Sequence, residues 1–208
     1  MNKTNQSIFS IFYILLIIDF YFQIFLNQQN YLNKPLLRRW CIQMDLTWSD
    51  IKSETMSIDE YLKIFKDKFE IIKNYENYNP KAKHLKHIKE VITDKQIKLK
   101  ILAMGAKWCR DCAEQVPHMI KIIKELGAEY IDMRILYGIK VNAFRKEGEI
   151  LWDKRHSSPE AVDPKFELNA IPTFFIFNND EILGLIVEHP KRFSTLERDL
   201  CTILRKCF

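Results

Sequence analysis

Apolar residues recur along this chain in three rhythms, and each predicts a different kind of element. The first is unbroken: Ile8 to Leu26 reads IFSIFYILLIIDFYFQIFL, apolar except for Ser10, Asp19 and Gln23. The second has helical spacing. Ile58, Tyr61, Phe65, Phe69 and Ile72 mark one face of a helix over 57–76, opened by a Ser57/Glu60 capping box. Asn79-Pro80 ends it and starts a second, Lys-rich helix through about Val91. Ala113, Val116, Ile120, Ile123 and Leu126 line another helix from about Cys109, with Gly127 as its C-terminal cap and Pro117 as a kink. A last helix shows Leu196, Leu200, Ile203 and Leu204 behind a Ser194/Glu197 box. The third rhythm is that of strands: 99–104, apolar nearly throughout and read as buried, then Tyr130–Leu136, Thr173–Phe177 and Ile182–Val187, the last two joined by a turn at Asn178-Asn179-Asp180. In order this is strand, helix, strand, long crossover, hairpin and helix, an α/β class whose mixed central sheet is flanked by helices. The segments divide as 1–43, hydrophobic; 44–97, a helical extension; and 98–208, the α/β domain.

The first segment leaves two readings open. Residues 8–26 are long enough for a membrane span, and the run tolerates one Asp at roughly 3 kcal/mol. No small-x-small cleavage site follows, so a removable signal is a poor match. Lys34, Arg38 and Arg39 follow the run and only Lys3 precedes it, which would keep the rest of an anchored chain in the cytoplasm. Alternatively Met44 is the true start and the first 43 residues are an extension. Either way the expected location is cytoplasmic, with or without an anchor at 8–26.

Composition narrows the function classes. At 47% hydrophobic and 28% charged residues this is an ordinary globular chain. The net charge of +5 comes from Lys spread along helices without interleaved aromatics, so nucleic-acid binding is not expected. Five cysteines, at 41, 109, 112, 201 and 207, form no even framework, which points to a reducing compartment. Cys201 reads as a small core residue and Cys207 as incidental.

The chemistry concentrates at Lys107-Trp108-Cys109-Arg110-Asp111-Cys112, where a strand gives way to a helix. A cysteine at a helix N-terminus meets unpaired N–H groups and the positive end of the macrodipole, both of which favour its thiolate. A second cysteine three positions on is within reach to close a disulfide with the first. Lys107 and Arg110 add positive charge, Asp111 is placed to keep Cys112 protonated, and Trp108 reads as a wall of the site or as a core tryptophan. The pattern alone is also half a zinc site. His84 and His87 share a helical face and would complete Cys2His2, although Lys81, Lys83, Lys86 and Lys89 surround them.

The segments Ala106–Cys112, Val116-Pro117 and Ala170-Ile171-Pro172-Thr173-Phe174, in this order on these elements, resemble the thioredoxin superfamily over about 98–206. The lead-in from Met44 is similar to that of bacterial and archaeal members with a Trp-Cys-x-Asp-Cys site. The resemblance implies a thioredoxin-like fold and a thiol–disulfide oxidoreductase reducing protein disulfides. It implies Cys109 as nucleophile and Cys112 as resolving cysteine, with Pro172 a cis proline facing them and Ile171 a substrate contact. Substrate would then bind at Trp108, Ile171 and Pro172. No cofactor or metal is implied beyond a reversible Cys109–Cys112 disulfide. The implied partners are disulfide-containing proteins and a thioredoxin-reductase-like electron donor, and the chain is expected to be a monomer.

Two departures qualify the resemblance. The family's buried acid, six positions before the first cysteine, is here Ala103, so Asp111 or Glu114 substitutes or exchange is slower. The stretch from about Tyr137 to Lys165, with Arg145, Trp152, Arg155 and His156, is longer than in a minimal thioredoxin. It reads as packing over a sheet edge or as a recognition surface, the former favoured. His118 reads as a surface residue, and Glu188 as a candidate near the site. The rival readings are a non-catalytic thioredoxin-fold binding protein and a Cys/His zinc module.

Overall fold

The apolar runs pair into one four-stranded sheet in the order β2-β1-β3-β4. The strands are β1 (Leu99–Gly105), β2 (Ile131–Tyr137), β3 (Thr173–Asn178) and β4 (Glu181–Val187). A computed structural model describes residues 44–208 apart from Ala128, Arg192 and Phe193. The run 8–26, and both readings of it, lie outside the described residues. Among the described residues no helix is long and apolar enough to cross a membrane.

β1 is buried at six of its seven positions, as a strand covered on both faces must be. It pairs parallel with β2 (Leu99 opposite Ile131, Gly105 opposite Tyr137) and antiparallel with β3 (Met104 opposite Thr173). β4 completes the hairpin. Helices α1 (Ile58–Ile64), α2 (Phe69–Asn77), α3 (Ala82–Asp94), α4 (Arg110–Leu126) and α6 (Leu196–Cys207) carry the remaining core faces, and α5 (Pro159–Val162) is a single turn. The architecture is an α/β mixed sheet flanked by helices.

The helices before β1 are built into the same core. Tyr61, Ile71, Ile88 and Ile92 are buried in one cluster with the strand residues. Met56 exchanges two backbone hydrogen bonds of 2.8 Å with Ile135, which covers the free edge of β2. The crossover between β2 and β3 sends Trp152, Ala161 and Phe166 inward, each at most 2% exposed, while Phe144 stands out at 93%. Buried Glu160 accepts from the Lys52 and Ser53 N–H groups and from the Ser53 hydroxyl, tying the crossover to the segment before α1.

Three local expectations are corrected. The helix expected over 57–76 is two helices, α1 and α2, parted at 65–68, and Phe69 is 76% exposed rather than part of an inward face. The Ser57/Glu60 box is made, but the Ser194/Glu197 box is not. Ser194 Oγ instead donates to Asp199 (2.6 Å), and Glu197 is drawn inward to accept from the Tyr78 hydroxyl (2.6 Å) and the Lys81 N–H (3.1 Å). Finally, β2 extends one residue beyond Leu136 and takes in Tyr137.

Candidate active site

Cys109 is the N-cap of α4, and it is there because β1 ends at Gly105 and the chain turns back through 106–108. Its backbone is extended (φ −83°, ψ 120°), so its sulfur points back over the first turn and accepts the Cys112 N–H at 3.0 Å. Both thiols are free, Cys109 8% exposed and Cys112 sealed. The antiparallel pairing of β1 with β3 sets the end of one strand beside the start of the other. That register carries Ile171-Pro172 to the dithiol: the Cys109 thiol donates to the Ile171 carbonyl at 3.4 Å. The Ile171–Pro172 bond is cis. The Pro172 carbonyl in turn accepts the Glu188 N–H at 2.6 Å, which fixes the loop after β4 against the same segment.

The two sulfurs are driven in opposite directions. The Cys112 thiol, hydrogen-bonded to Cys109, pulls the Cys109 pKa below the ordinary thiol value; the N–H groups of Cys112 and Asp111 add to this, against burial and the Asp111 carboxylate. That hydrogen bond and burial push Cys112 strongly up, with a smaller push from Asp111. A helix mouth that favours one thiolate and disfavours the other separates the two sulfurs chemically.

The other residues singled out in the sequence take varied positions. The Trp108 ring is 56% exposed, pinned by its indole N–H to the Ile139 carbonyl at 2.8 Å. Lys107 is exposed, its ammonium 5.8 Å from the centre of the Phe65 ring. Arg110, Asp111 and Glu114 are exposed, and Ala103 is fully buried in β1. His84 and His87 lie on α3, and no group of three His, Cys, Asp or Glu fit to hold a metal occurs among the described residues. His118 is not the surface residue expected. It is half-buried, stacked on Tyr78 at 4.0 Å and 17°, and burial lowers its pKa to about 4.

Three neighbours of the site escaped sequence reasoning. Pro117 lacks the N–H that would reach the Ala113 carbonyl one turn back, and Asn74 of α2 donates to that oxygen at 2.9 Å. Pro117 announces the unmet carbonyl, but nothing local names the donor. Tyr61 and Tyr137 meet edge to face at 5.2 Å beside Cys112 and Gly105. Tyr61 had only a core residue's spacing, and Tyr137 read as the start of a loop.

The profile of a protein family described as thioredoxin matches residues 55–200, more than half of the chain. No curated protein matches. Among solved structures, thioredoxin from Fasciola hepatica aligns at 15% identity over 58% of this chain and 91% of its own, with a TM-score of 0.34. Mitochondrial thioredoxin 3 from Saccharomyces cerevisiae, in its oxidised form, aligns at 20% identity over 50% of this chain and 76% of its own (TM-score 0.30). A Pseudomonas aeruginosa protein of unknown function aligns at 14% identity over 73% of this chain and 89% of its own (TM-score 0.41).

Proposed function

The chain belongs to the thioredoxin family, and from that premise we propose that it is a thiol–disulfide oxidoreductase that reduces protein disulfides through Cys109 and Cys112. The observation that carries the reading is the Cys109 sulfur itself. It caps α4, accepts the Cys112 N–H at 3.0 Å and has its pKa lowered, while Cys112 is buried with its pKa raised.

The division of labour follows from that asymmetry. The Cys109 thiolate attacks one sulfur of a substrate disulfide, a mixed disulfide forms and the other substrate sulfur leaves as thiolate. Cys112 then loses its proton and attacks Cys109. A Cys109–Cys112 disulfide forms, the bond to substrate breaks, and the departing substrate sulfur takes up a proton. Two electrons pass from the dithiol to the substrate, so the site needs no cofactor beyond its own reversible disulfide. An electron donor of thioredoxin-reductase type would restore it. On this reading an extended substrate strand would lie against exposed Trp108 and the Ile171-Pro172 segment, whose Ile171 carbonyl is 3.4 Å from the Cys109 sulfur. The reading places the protein in a reducing, cytoplasmic setting as a monomer.

A Cys112→Ser variant tests this. It should accumulate mixed disulfides with its substrates, separable on non-reducing gels, while Cys109→Ser accumulates none. Wild type should reduce insulin in the presence of dithiothreitol. Equal trapping by both variants would reverse or void the assignment of roles. A wild type inert toward disulfides would favour a binding protein on the same fold.

A further inference from the structure

Behind the dithiol lie two tyrosine hydroxyls sealed from solvent and without a well-formed hydrogen bond, those of Tyr61 and Tyr137. Tyr61 comes from α1 and Tyr137 from the last position of β2, and their rings meet at 89° with Phe65 closing the third side at 4.7 and 5.3 Å. Burial raises both phenols; the two oxygens also act on each other, a contact that lowers Tyr61 and raises Tyr137, and the thiols of Cys112 and Cys109 add a smaller upward push. Two sealed hydroxyls that share only an imperfect contact with each other are unusual in a packed interior and call for a reason.

The reason at hand is sulfur. The ring edge of Tyr137 and the Cys112 Sγ flank the same point, the place a side chain on Gly105 would fill, at 2.9 and 3.2 Å. A glycine there is what lets both come in. Cys112 is the sulfur that most needs help, since the closing step asks it to carry negative charge in a dry site. Burying charge without donors is costly. The groups that act on it include Cys109 at the cap of α4, Asp111 in its first turn and the Ala106 N–H, and it acts in turn on the phenols from α1 and β2. Asp111 and Cys109 both oppose its ionisation, and Ala103 offers no polar side chain.

We propose that the Tyr61–Tyr137 hydroxyl pair supports the resolving cysteine by donating to Cys112 Sγ as that sulfur becomes a thiolate. The assignment rests on the exchange reading above. The pair transfers no electrons and keeps its own protons. The Cys112 proton is balanced by the one the departing substrate sulfur takes up.

The experiment uses the full chain and Ellman's reagent as the disulfide substrate, followed by stopped flow. Attack by Cys109 releases one thionitrobenzoate, and closure by Cys112 releases a second; Cys112→Ser identifies the first phase. In Tyr137→Phe, and more so in Tyr61→Phe/Tyr137→Phe, the second phase should slow about tenfold, as for loss of a hydrogen bond to a charged group. Its pH midpoint should rise by about one unit, and the first phase should stay as in wild type. An unchanged second phase and midpoint in the double variant would overturn the proposal. So would equal slowing of both phases, the result of loosened packing alone. A wild type lacking the first phase would instead overturn the exchange reading. As a readout free of turnover, the thiolate absorbance of Cys112 in a Cys109→Ser background should titrate at higher pH once Tyr137→Phe is added. An identical titration would refute the hydroxyl's action on sulfur.

Discussion

Pro117 leaves the Ala113 carbonyl of α4 without its helical donor, and a residue 39 positions before Ala113 supplies one, an arrangement that can be tested quantitatively. Proline has no N–H, so the Ala113 carbonyl in the first turn behind Cys109 loses its helical donor. Asn74 Nδ2 supplies one at 2.9 Å. In Asn74→Ala that oxygen is left half-buried. A lost hydrogen bond is worth about 1 kcal/mol and a stranded buried acceptor up to about 3; because Ala113 is only partly covered, about 1–2 kcal/mol is expected. For a domain of this size that lowers Tm by roughly 2–8 °C. The assay is thermal and urea unfolding of the full chain as a double-mutant cycle with Pro117→Ala. Alanine at 117 restores the N–H, so Asn74→Ala should cost less than about 0.5 kcal/mol in that background. The same cost in both backgrounds would refute the reasoning, since Asn74 would then matter for packing and not for the carbonyl.

The remaining predictions concern His118 and Gly105. His118 is held neutral, its pKa lowered from 6.5 to about 4 by burial. The unfolded chain therefore takes up this proton first, and stability should fall as pH drops from about 6.5 toward 4. Urea midpoints at pH 7.5, 6 and 5 should show the decline and His118→Gln should flatten it; an equal slope in the variant would assign the effect elsewhere. Gly105→Ala puts a methyl 2.9 Å from the Tyr137 ring and 3.2 Å from Cys112 Sγ. It should cost about 1–3 kcal/mol by overpacking, and a urea midpoint equal to wild type would mean the ring moves freely.

β1, β3 and β4 were readable as nearly continuous apolar runs, and β2 as a run that alternates exposed Asp132 and Arg134 with buried neighbours. Helix ends were harder. Residues 65–68, Phe-Lys-Asp-Lys, contain neither Gly nor Pro, and the helix breaks there because Tyr61 and Phe65 turn toward Tyr137 while Phe69 is left in solvent. That is tertiary packing overriding a local pattern. The Ser194/Glu197 motif fails in the same way. A capping box for Glu197 is worth less than the Tyr78 hydroxyl and Lys81 N–H that it satisfies by turning inward.

For the site, legibility divides by sequence separation. The two cysteines are three positions apart, and their placement at a helix mouth follows from the strand before them and the amphipathic face after them. Ile171 and Pro172 could be placed beside it only through the family resemblance. The physical cause, Met104 opposite Thr173 in an antiparallel ladder, depends on strand order, which composition does not encode. Charge is instructive in another way. Counting Lys107 and Arg110 as neighbours in sequence suggests a cationic cradle, but the strongest influences on Cys109 are the Cys112 thiol, its own burial and backbone N–H groups. A long exposed side chain can lie over a ring, as Lys107 does over Phe65, and what it contributes at the sulfur is screened. Hydrogen bonds at 3 Å are not. In this fold, then, the first thiol's pKa is lowered chiefly by the Cys112 thiol and by N–H groups of the helix it caps, and the second's is raised by Cys109 and by burial; the neighbours three positions apart are written locally in the chain, and the burial is not.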